Sequence, residues 1–219
     1  MAESVVLLDF WASAFGLRVR IALAEKRVEY EYKEQDLCNK SPFLLQSNPV
    51  HKKIPVLIHN GRPICESHII VEYIDEVWTD RSPLLPKDPY QRANARFWTD
   101  YINKKVYDTG SNIWKKKGEA KEAAKKEFIE SLKLVEGQLG DEPYFGGETF
   151  GYVDIMLIPF ASWFHAYETE GNFKMENECP KLMEWVKRCK ERKSVYKALP
   201  DPHKVYDFVL SMKKRLGIE

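Results

Sequence analysis

The spacing of apolar residues near the start of the chain alternates between a period typical of strands and one typical of helices. Residues 5–10, VVLLDF, form a continuous apolar run, as expected of a strand that is covered on both faces. Residues 14–26 then place Leu17, Ile21 and Ala24 on one helical face. The pattern therefore predicts a buried strand that runs directly into an amphipathic helix.

A second strand follows, because residues 28–34, VEYEYKE, alternate strictly and place Val28, Tyr30 and Tyr32 on one side. The next segment, SPFLLQSNP, indicates a short helix or a turn.

Two further strands and a helix complete this region. Residues 54–65, IPVLIHNGRPIC, predict a hairpin with Asn60-Gly61 as its turn. Residues 66–78, ESHIIVEYIDEVW, return to helical spacing. The order is βαβαββα, so we assign residues 1–78 to a small α/β domain.

The remainder of the chain shows only helical periodicity. Residues 79–89, TDRSPLLPKDP, contain three prolines and are interpreted as a linker. Residues 90–219 are assigned to an all-α domain. The helices predicted within it are 90–117, 119–139, 152–169, 181–191 and 203–215.

Composition narrows the classes of function. The 219 residues include 34 basic and 33 acidic ones, for a net charge of +1. A protein that binds nucleic acid or a membrane surface usually has a one-sided basic excess, so neither partner is expected. The N-terminal apolar run is too short for a signal peptide or a membrane span, and we expect a cytoplasmic protein.

The cysteines and histidines show no spacing typical of a metal site or of a CxxC redox pair. We therefore interpret the cysteines as reduced thiols, and we expect no metal cofactor. The cysteines are Cys38, Cys65, Cys179 and Cys189.

Ser13 lies at the corner between the first strand and the first helix. One interpretation is that it caps the helix that starts near Ala14. The other is that its O–H donates to an anion, such as a thiolate, that is held above the helix N-terminus. The pattern does not decide between the two roles. No His/Asp pair stands at a recognisable spacing to activate the serine as a nucleophile.

Two other short segments allow both a structural and a binding interpretation. Ile54-Pro55 is an ordinary strand-entry proline, or its bond is cis and the Ile54 backbone turns outward to pair with a peptide-like ligand. Glu66-Ser67 is a plain helix cap, or its backbone N–H groups and hydroxyl bind a carboxylate while Glu66 binds an ammonium group.

Lys40 and Lys53 flank these segments and are solvated surface groups unless their loops converge on one ligand. A single ligand that used all of these groups would be a short peptide with a free thiol, an amino-acid head and a carboxylate tail. Glutathione has this description.

Four segments carry a resemblance to cytosolic glutathione transferases, and in particular to the plant tau class. They are DFWASAFGLRVRIALAEK, NPVHKKIPVLIHNGRPICESHIIVEYIDEVW, LLPKDPYQRANARFWTDY and YFGGETFGYVDIMLIPF. The resemblance extends over essentially the whole chain. It implies a thioredoxin-like N-terminal domain, an all-helical C-terminal domain and a homodimer.

The resemblance also implies a role for each candidate residue. Ser13 stabilises the thiolate of glutathione, which is a co-substrate, and no other cofactor is implied. The backbone of Ile54, before cis-Pro55, pairs with the cysteinyl unit. The remaining candidates hold the γ-glutamyl head and the glycyl carboxylate, respectively, and these are Glu66 with Ser67 and Lys40 with Lys53.

Two details concern helix starts. Members of the tau class commonly have proline after the serine, whereas Ala14 stands here, so the turn is expected to be slightly looser. Residues 151–154, GYVD, resemble the capping box of the family, with Asp154 reaching back to the cap N–H although Gly151 replaces Ser or Thr.

A conjugating enzyme also needs an apolar pocket for its electrophile. Aromatic residues at helical spacing belong to a protein core or line such a pocket, and the pattern leaves both open. Trp11 and Phe15 bracket Ser13 and are placed to form the near wall of such a pocket. The resemblance favours Tyr107, Trp114 and Trp163 as pocket residues, with Phe15, Phe208 and Met212 behind them.

The function that we predict is conjugation of glutathione to hydrophobic electrophiles, as in detoxification, with reduction of peroxides by the same thiolate left open. The alternative is a non-catalytic carrier of apolar small molecules, which has no need of a hydroxyl that stabilises a thiolate. Thiol–disulfide exchange is disfavoured because Ser13, and not a cysteine, stands at the corner.

Overall fold

The computed structural model describes residues 4–81 and 83–218 and divides into two compact units, Met1–Leu85 and Pro86–Glu219. In the first unit the order of elements is βαβαββα, which confirms the prediction. The elements are β1 Val5–Asp9, α1 Ala14–Glu25, β2 Glu31–Glu34, α2 Pro42–Ser47, β3 Val56–His59, β4 Arg62–Cys65 and α3 Ser67–Val77.

The four strands form one sheet in the order β2-β1-β3-β4. β1 pairs with β2 in parallel, and the pairs β1–β3 and β3–β4 are antiparallel. β1 and β3 occupy the centre, and all four side chains of β3 are buried, as a continuous apolar run requires. The predicted hairpin turn is confirmed, since Asn60 and Gly61 have φ of 50° and 77°.

The boundary between α1 and β2 differs from the prediction. β2 begins at Glu31 and not at residue 28, because the turn that closes α1 after Glu25 takes up Arg27 and Val28. Arg27 adopts a left-handed φ of 54°, and the Val28 N–H donates to Leu23 O at 2.9 Å, which is a Schellman closure. Tyr32 on the predicted apolar face is 38% exposed.

Helix α1 buries most of its predicted apolar face. Leu17 and Ile21 are fully buried, whereas Ala24, predicted on the same face, is exposed. The helix instead buries Gly16 and Arg18 as well, so polar and small residues share the buried side. The predicted stripe was therefore too simple.

The second unit is helical, as predicted, and packs around the long helices α4 and α5. Its helices are α4 Pro89–Lys115, α5 Gly118–Leu139, α6 Tyr152–Leu157, a 3-10 segment Ile158–Ser162, α7 Phe164–Gly171, α8 Met175–Glu178, α9 Pro180–Lys190, α10 Lys193–Ala198 and α11 Pro202–Leu216.

The single helix predicted over 152–169 is wrong. Pro159 lacks the N–H that an α-helix needs at that position, so the chain forms a 3-10 turn and resumes as α7 at Phe164. The short helices α8 and α10 were not predicted, because four and six residues are too few to show a period.

The start of α6 is built around Asp154, which is fully buried. Its carboxylate accepts from the Gly151 N–H at 2.9 Å, the Phe145 N–H at 3.1 Å and the indole N–H of Trp185 at 2.8 Å. The reach back to the Gly151 N–H is the half of a capping box that a glycine cap permits. Burial raises the pKa of Asp154 to about 6.

Candidate functional site

Three corners of the first unit meet at one edge of the sheet. Leu8 pairs with Val56, and Val56 pairs with Cys65. The C-terminal end of β1, the N-terminal end of β3 and the C-terminal end of β4 are therefore neighbours. The segments that continue from these ends carry Ser13, Ile54-Pro55 and Glu66-Ser67, respectively, so the fold brings together three groups that the sequence separates widely.

Ser13 occupies the N-cap position of α1. Its Oγ accepts the Gly16 N–H at 3.1 Å, and its own N–H donates to Phe10 O at 2.9 Å. The cap interpretation is thereby confirmed. It is compatible with the second interpretation, because a hydroxyl that accepts one hydrogen bond keeps its O–H as a donor. The side chain is half-buried at the positive end of the helix.

The peptide bond between Ile54 and Pro55 is cis, so the interpretation as an ordinary strand-entry proline is wrong. The sheet registers begin at Val56, which leaves Ile54 outside the ladder. The loop before it is held by Asn48, which is buried and whose amide donates to Lys53 O at 2.9 Å and accepts the His51 N–H at 3.0 Å. Asn48 had not been singled out in the sequence.

Glu66 has a left-handed backbone, with φ of 68° and ψ of 115°. Its side chain makes no cap hydrogen bond, so the plain helix-cap interpretation is wrong for Glu66. The carboxylate is 45% exposed, with His51 Nε2 at 3.9 Å from Oε1. A non-glycine residue in this region costs of order 1–3 kcal/mol, and such residues concentrate at functional sites.

Ser67 is buried, and its Oγ accepts from Arg18 Nη1 at 3.1 Å. Arg18 is itself fully buried and lies on α1, so it ties the corner at Glu66-Ser67 to the helix that Ser13 caps. A buried arginine was not foreseen, because arginine is usually exposed. Its position three residues before Ile21, which lies on the predicted apolar face of α1, was the signal.

The two lysines differ in their surroundings. The Lys40 ammonium donates to Lys52 O at 2.8 Å, which places it beside the loop that precedes Ile54. Lys53 is exposed. Lys40 therefore lies beside this loop through a hydrogen bond, whereas Lys53 is itself part of the loop.

A buried ion pair lies beneath the Ser13 corner and was missed in the sequence. Asp9, fully buried, accepts from Arg20 Nε at 2.8 Å. Arg20 also donates from Nη2 to Phe10 O at 3.2 Å and to Trp11 O at 3.0 Å. Burial raises the pKa of Asp9 to about 6, although Arg20 acts in the opposite direction. The acidic end of the run VVLLD, with an arginine on the next helix, was the available signal.

Around Ser13, the first unit also presents two predicted pocket residues. Trp11 and Phe15 are half-buried on either side of the serine. The guanidinium of Arg18 lies 4.9 Å from the centre of the Phe15 ring.

The predicted pocket residues of the second unit have different degrees of burial. Tyr107 is 37% exposed, whereas Trp114 is buried and its indole N–H has no acceptor among the described residues. The Lys115 ammonium lies over both rings, at 5.9 and 5.1 Å from their centres. Trp114 therefore fits the core interpretation better than Tyr107 does.

Trp163 directly follows the 3-10 segment, and Phe208 and Met212 lie on α11. The rings of Trp163 and Phe208 meet edge to face at 6.3 Å, and both are half-buried. Met212, one turn after Phe208, accepts from Arg215 Nη2 at 2.9 Å through its sulfur.

The four cysteines are free thiols. Burial raises the pKa of Cys179 to about 12 and also raises that of Cys65 and of Cys189. Among residues 4–81 and 83–218, no group of three His, Cys, Asp or Glu side chains is placed to hold a metal ion, and no helix is long and apolar enough to cross a membrane.

Comparison with known proteins identifies the family of this chain. The model of the glutathione S-transferase N-terminal domain matches residues 3–76, and that of the C-terminal domain matches residues 118–188. The chain therefore belongs to the glutathione S-transferase family.

The relatives place it within the family. The chain is 66% identical over 218 residues to the probable glutathione S-transferase parC of Nicotiana tabacum, with 99% of each chain covered. Rice GST1, solved in complex with glutathione, superposes with a TM-score of 0.95 at 50% identity over 98% of each chain. The tau-class enzyme MiGSTU from mango gives 0.89 at 44% identity over 94% and 96% of the two chains. The chain is thus a tau-class glutathione transferase.

Proposed function

We propose that this enzyme joins the thiolate of glutathione to apolar electrophiles and that Ser13 stabilises the thiolate. The observation that carries the proposal is the sheet edge at which the Ser13, Ile54-Pro55 and Glu66-Ser67 corners meet. These corners offer, in order, a hydroxyl at a helix N-terminus, an unpaired stretch of backbone, and a carboxylate beside a hydroxyl. A γ-glutamyl-cysteinyl peptide uses each of these groups once.

Each part of glutathione has a partner in this proposal. The Ile54 N–H and C=O pair with the cysteinyl unit, as in strand addition. Glu66 binds the γ-glutamyl ammonium group, and the backbone N–H and hydroxyl of Ser67 bind the adjacent carboxylate. Lys40 and Lys53 attract the glycyl carboxylate. The left-handed φ of Glu66 supports this assignment, because a strained residue with an exposed carboxylate has no evident role in packing.

The reaction follows from the ionisation of the thiol. A free thiol has a pKa of about 8.5, and a hydrogen bond from Ser13 together with the positive end of α1 favours the charged form. The sulfur lone pair then attacks the electrophilic carbon, forms the C–S bond and displaces the leaving group with its bonding electrons. Holding both reactants in one geometry supplies the rest of the acceleration.

The apolar partner is proposed to lie against aromatic side chains. Trp11 and Phe15 beside Ser13 provide such surface in the first unit. In the second unit the same role falls to Tyr107, Trp163, Phe208 and Met212, whereas the buried Trp114 is assigned to the core. The same thiolate can attack the outer oxygen of a hydroperoxide, releasing an alcohol, and a second glutathione then yields the disulfide and water.

Three further parts of the proposal rest on the family alone. They are a homodimeric assembly and a cytoplasmic location; a role in detoxification is the third. Carriage of apolar molecules remains the second candidate, supported by the half-buried rings of Trp163 and Phe208.

The test compares Ser13→Ala with Ser41→Ala in the conjugation of glutathione to an aryl halide at saturating glutathione. Ser41 is a matched control, because it caps α2 by accepting the Leu44 N–H at 3.1 Å, the same distance as in the Ser13 cap. A hydrogen bond to a charged group is worth roughly 1.5–3 kcal/mol, so Ser13→Ala should turn over on the order of ten- to a hundredfold more slowly. Ser41→Ala should match the wild type.

Equal rates in the wild type and both variants would show that Ser13 acts only as a helix cap. If no protein turned over any electrophile while each bound apolar dyes, the carrier would be favoured.

A further inference from the structure

We propose that Arg20, held by Asp9, is a positioning residue that fixes the Ser13 hydroxyl for catalysis. The inference rests on the proposed function of Ser13 and adds the group that sets its position. It concerns the segment Phe10–Ser13, which leads from β1 into α1, and the guanidinium that lies against it.

The guanidinium of Arg20 makes three hydrogen bonds to three consecutive residues. Nε donates to Asp9 Oδ2 at 2.8 Å, and Nη2 donates to Phe10 O at 3.2 Å and to Trp11 O at 3.0 Å. Only a planar fork with several fixed N–H directions can serve a carboxylate and two successive carbonyls together. The side chain is 16% exposed, so these bonds are largely shielded from water.

Phe10 O links Arg20 directly to the serine. The same carbonyl accepts from Arg20 and from the Ser13 N–H, the latter at 2.9 Å. The orientation of this carbonyl therefore sets the backbone of Ser13, and Arg20 sets the orientation of the carbonyl. Trp11 is held from its other side as well, since its N–H donates to Glu34 Oε1 at 3.1 Å.

Asp9 contacts the second residue that fixes the serine. Gly16 donates its N–H to Ser13 Oγ, and a Cβ added to Gly16 would lie 1.6 Å from Asp9 Oδ1. Glycine is required at position 16 because the Asp9 carboxylate occupies the space that a Cβ would need. The backbone of Gly16 itself has an ordinary helical conformation. Asp9 thus packs beneath the residue that holds the serine hydroxyl, while Arg20 holds the turn in front of it.

This arrangement is costly for the fold, which argues against a purely stabilising role. Asp9 Oδ1 is buried and has no hydrogen-bond partner among the described residues. Burial also raises the pKa of Asp9 to about 6, so the charged form that Arg20 needs is disfavoured by its surroundings. Residues kept at such a cost are expected where geometry matters for function.

The experiment uses Arg20→Lys, which keeps the positive charge beside Asp9 but cannot serve both carbonyls. The control is Lys26→Arg, which alters the cation of another buried pair in the same unit, Lys26–Asp75 at 2.7 Å. Turnover of an aryl halide at saturating glutathione, KM for glutathione and thermal stability are measured for both. A double variant, Ser13→Ala/Arg20→Lys, completes the set.

We expect Arg20→Lys to lower kcat about tenfold with KM for glutathione changed less than about twofold, because only the placement of the hydroxyl is affected. The double variant should be no slower than Ser13→Ala, since Arg20 acts through the serine. Lys26→Arg should keep the wild-type kcat even where its stability falls by as much as that of Arg20→Lys.

Wild-type kcat in Arg20→Lys, or losses that multiply in the double variant, would overturn the inference while leaving the proposed function in place. Wild-type turnover in Ser13→Ala would instead overturn the proposed function, and this inference with it.

Discussion

The starts of helices α1 and α6 are built around the same chemistry and differ in how completely it is satisfied. Each has a fully buried aspartate whose pKa burial raises to about 6. At α6 the carboxylate of Asp154 receives three donors from the protein. At α1 one oxygen of Asp9 has no partner among the described residues, and the O–H of Ser13 remains a donor.

With Ser13 assigned as proposed, the difference separates a corner that serves stability from one that binds a ligand. Buried polar groups are almost always satisfied, so a corner that leaves some open invites a functional explanation. The α6 corner has nothing left to offer a ligand. The α1 corner has a hydroxyl, a helix N-terminus and a turn that Arg20 holds in place.

The largest expected effect is on stability at the α6 corner. Asp154→Ala leaves the Gly151 and Phe145 N–H groups and the Trp185 indole N–H without an acceptor. Unsatisfied buried donors cost about 1–3 kcal/mol each, so we expect a loss of about 3–5 kcal/mol in the free energy of unfolding, measured in urea. The control is Asp88→Ala, which removes an exposed helix cap whose carboxylate accepts the Gln91 N–H at 2.9 Å. It should lower the free energy of unfolding by about 1 kcal/mol. A similar loss of stability in both variants would show that Asp154 stabilises the fold no more than an ordinary exposed helix cap does.

A second effect, of about 3 kcal/mol, is the pH dependence of stability at the α1 corner. The pKa of Asp9 is raised from 3.8 to about 6 by burial, with Glu34 adding to the shift and Arg20 opposing it. A raised folded pKa gives stability that is fully present below the unfolded pKa and is lost as pH rises through the folded one.

Asp9→Asn cannot titrate and should lack this fall. The free energy of unfolding of the wild type, relative to Asp9→Asn, should therefore decrease by about 3 kcal/mol between pH 3 and 7, because one pKa unit is worth about 1.4 kcal/mol. A difference that stays constant with pH would mean that the carboxylate is better solvated than its burial indicates.

The smallest expected effect concerns the strained residue at the same sheet edge. Glu66→Gly relieves the left-handed backbone and should raise stability by about 1 kcal/mol, after the entropic cost of glycine. It should also raise the Kd for glutathione about tenfold, because one charged hydrogen bond is lost. Arg27→Gly, at φ of 54° on the end of α1, is the control for backbone relief and should leave the Kd unchanged. Unchanged affinity in Glu66→Gly would show that Glu66 does not hold the ligand.

The sequence predicted the parts of the molecule that depend on local patterns. The order of the first seven elements and the Asn60-Gly61 turn follow from hydrophobic period and turn chemistry. The helix over 152–169 failed because a regular apolar pattern continues through Pro159, where the backbone cannot. The predicted start of β2 was wrong because the Schellman closure at Arg27 depends on backbone geometry and not on the period of the side chains.

The candidate site divides in the same way. Ser13 and Ile54-Pro55 were found because helix starts and prolines carry local signals. Arg18, Arg20, Asp9 and Asn48 were missed because each acts through contacts with residues that are distant in the sequence or on another element. Charged residues in a sequence also resemble solvated surface groups until their burial is known.

The most direct measurement is the pKa of the glutathione thiol bound to the wild type, Ser13→Ala and Ser41→Ala, followed through the ultraviolet absorption of the thiolate. A hydrogen bond worth roughly 1.5–3 kcal/mol corresponds to about one to two pKa units. We expect Ser13→Ala to raise the bound thiol pKa by that amount, while Ser41→Ala matches the wild type. The same pKa in all three proteins would contradict the assignment of Ser13 as the group that stabilises the thiolate.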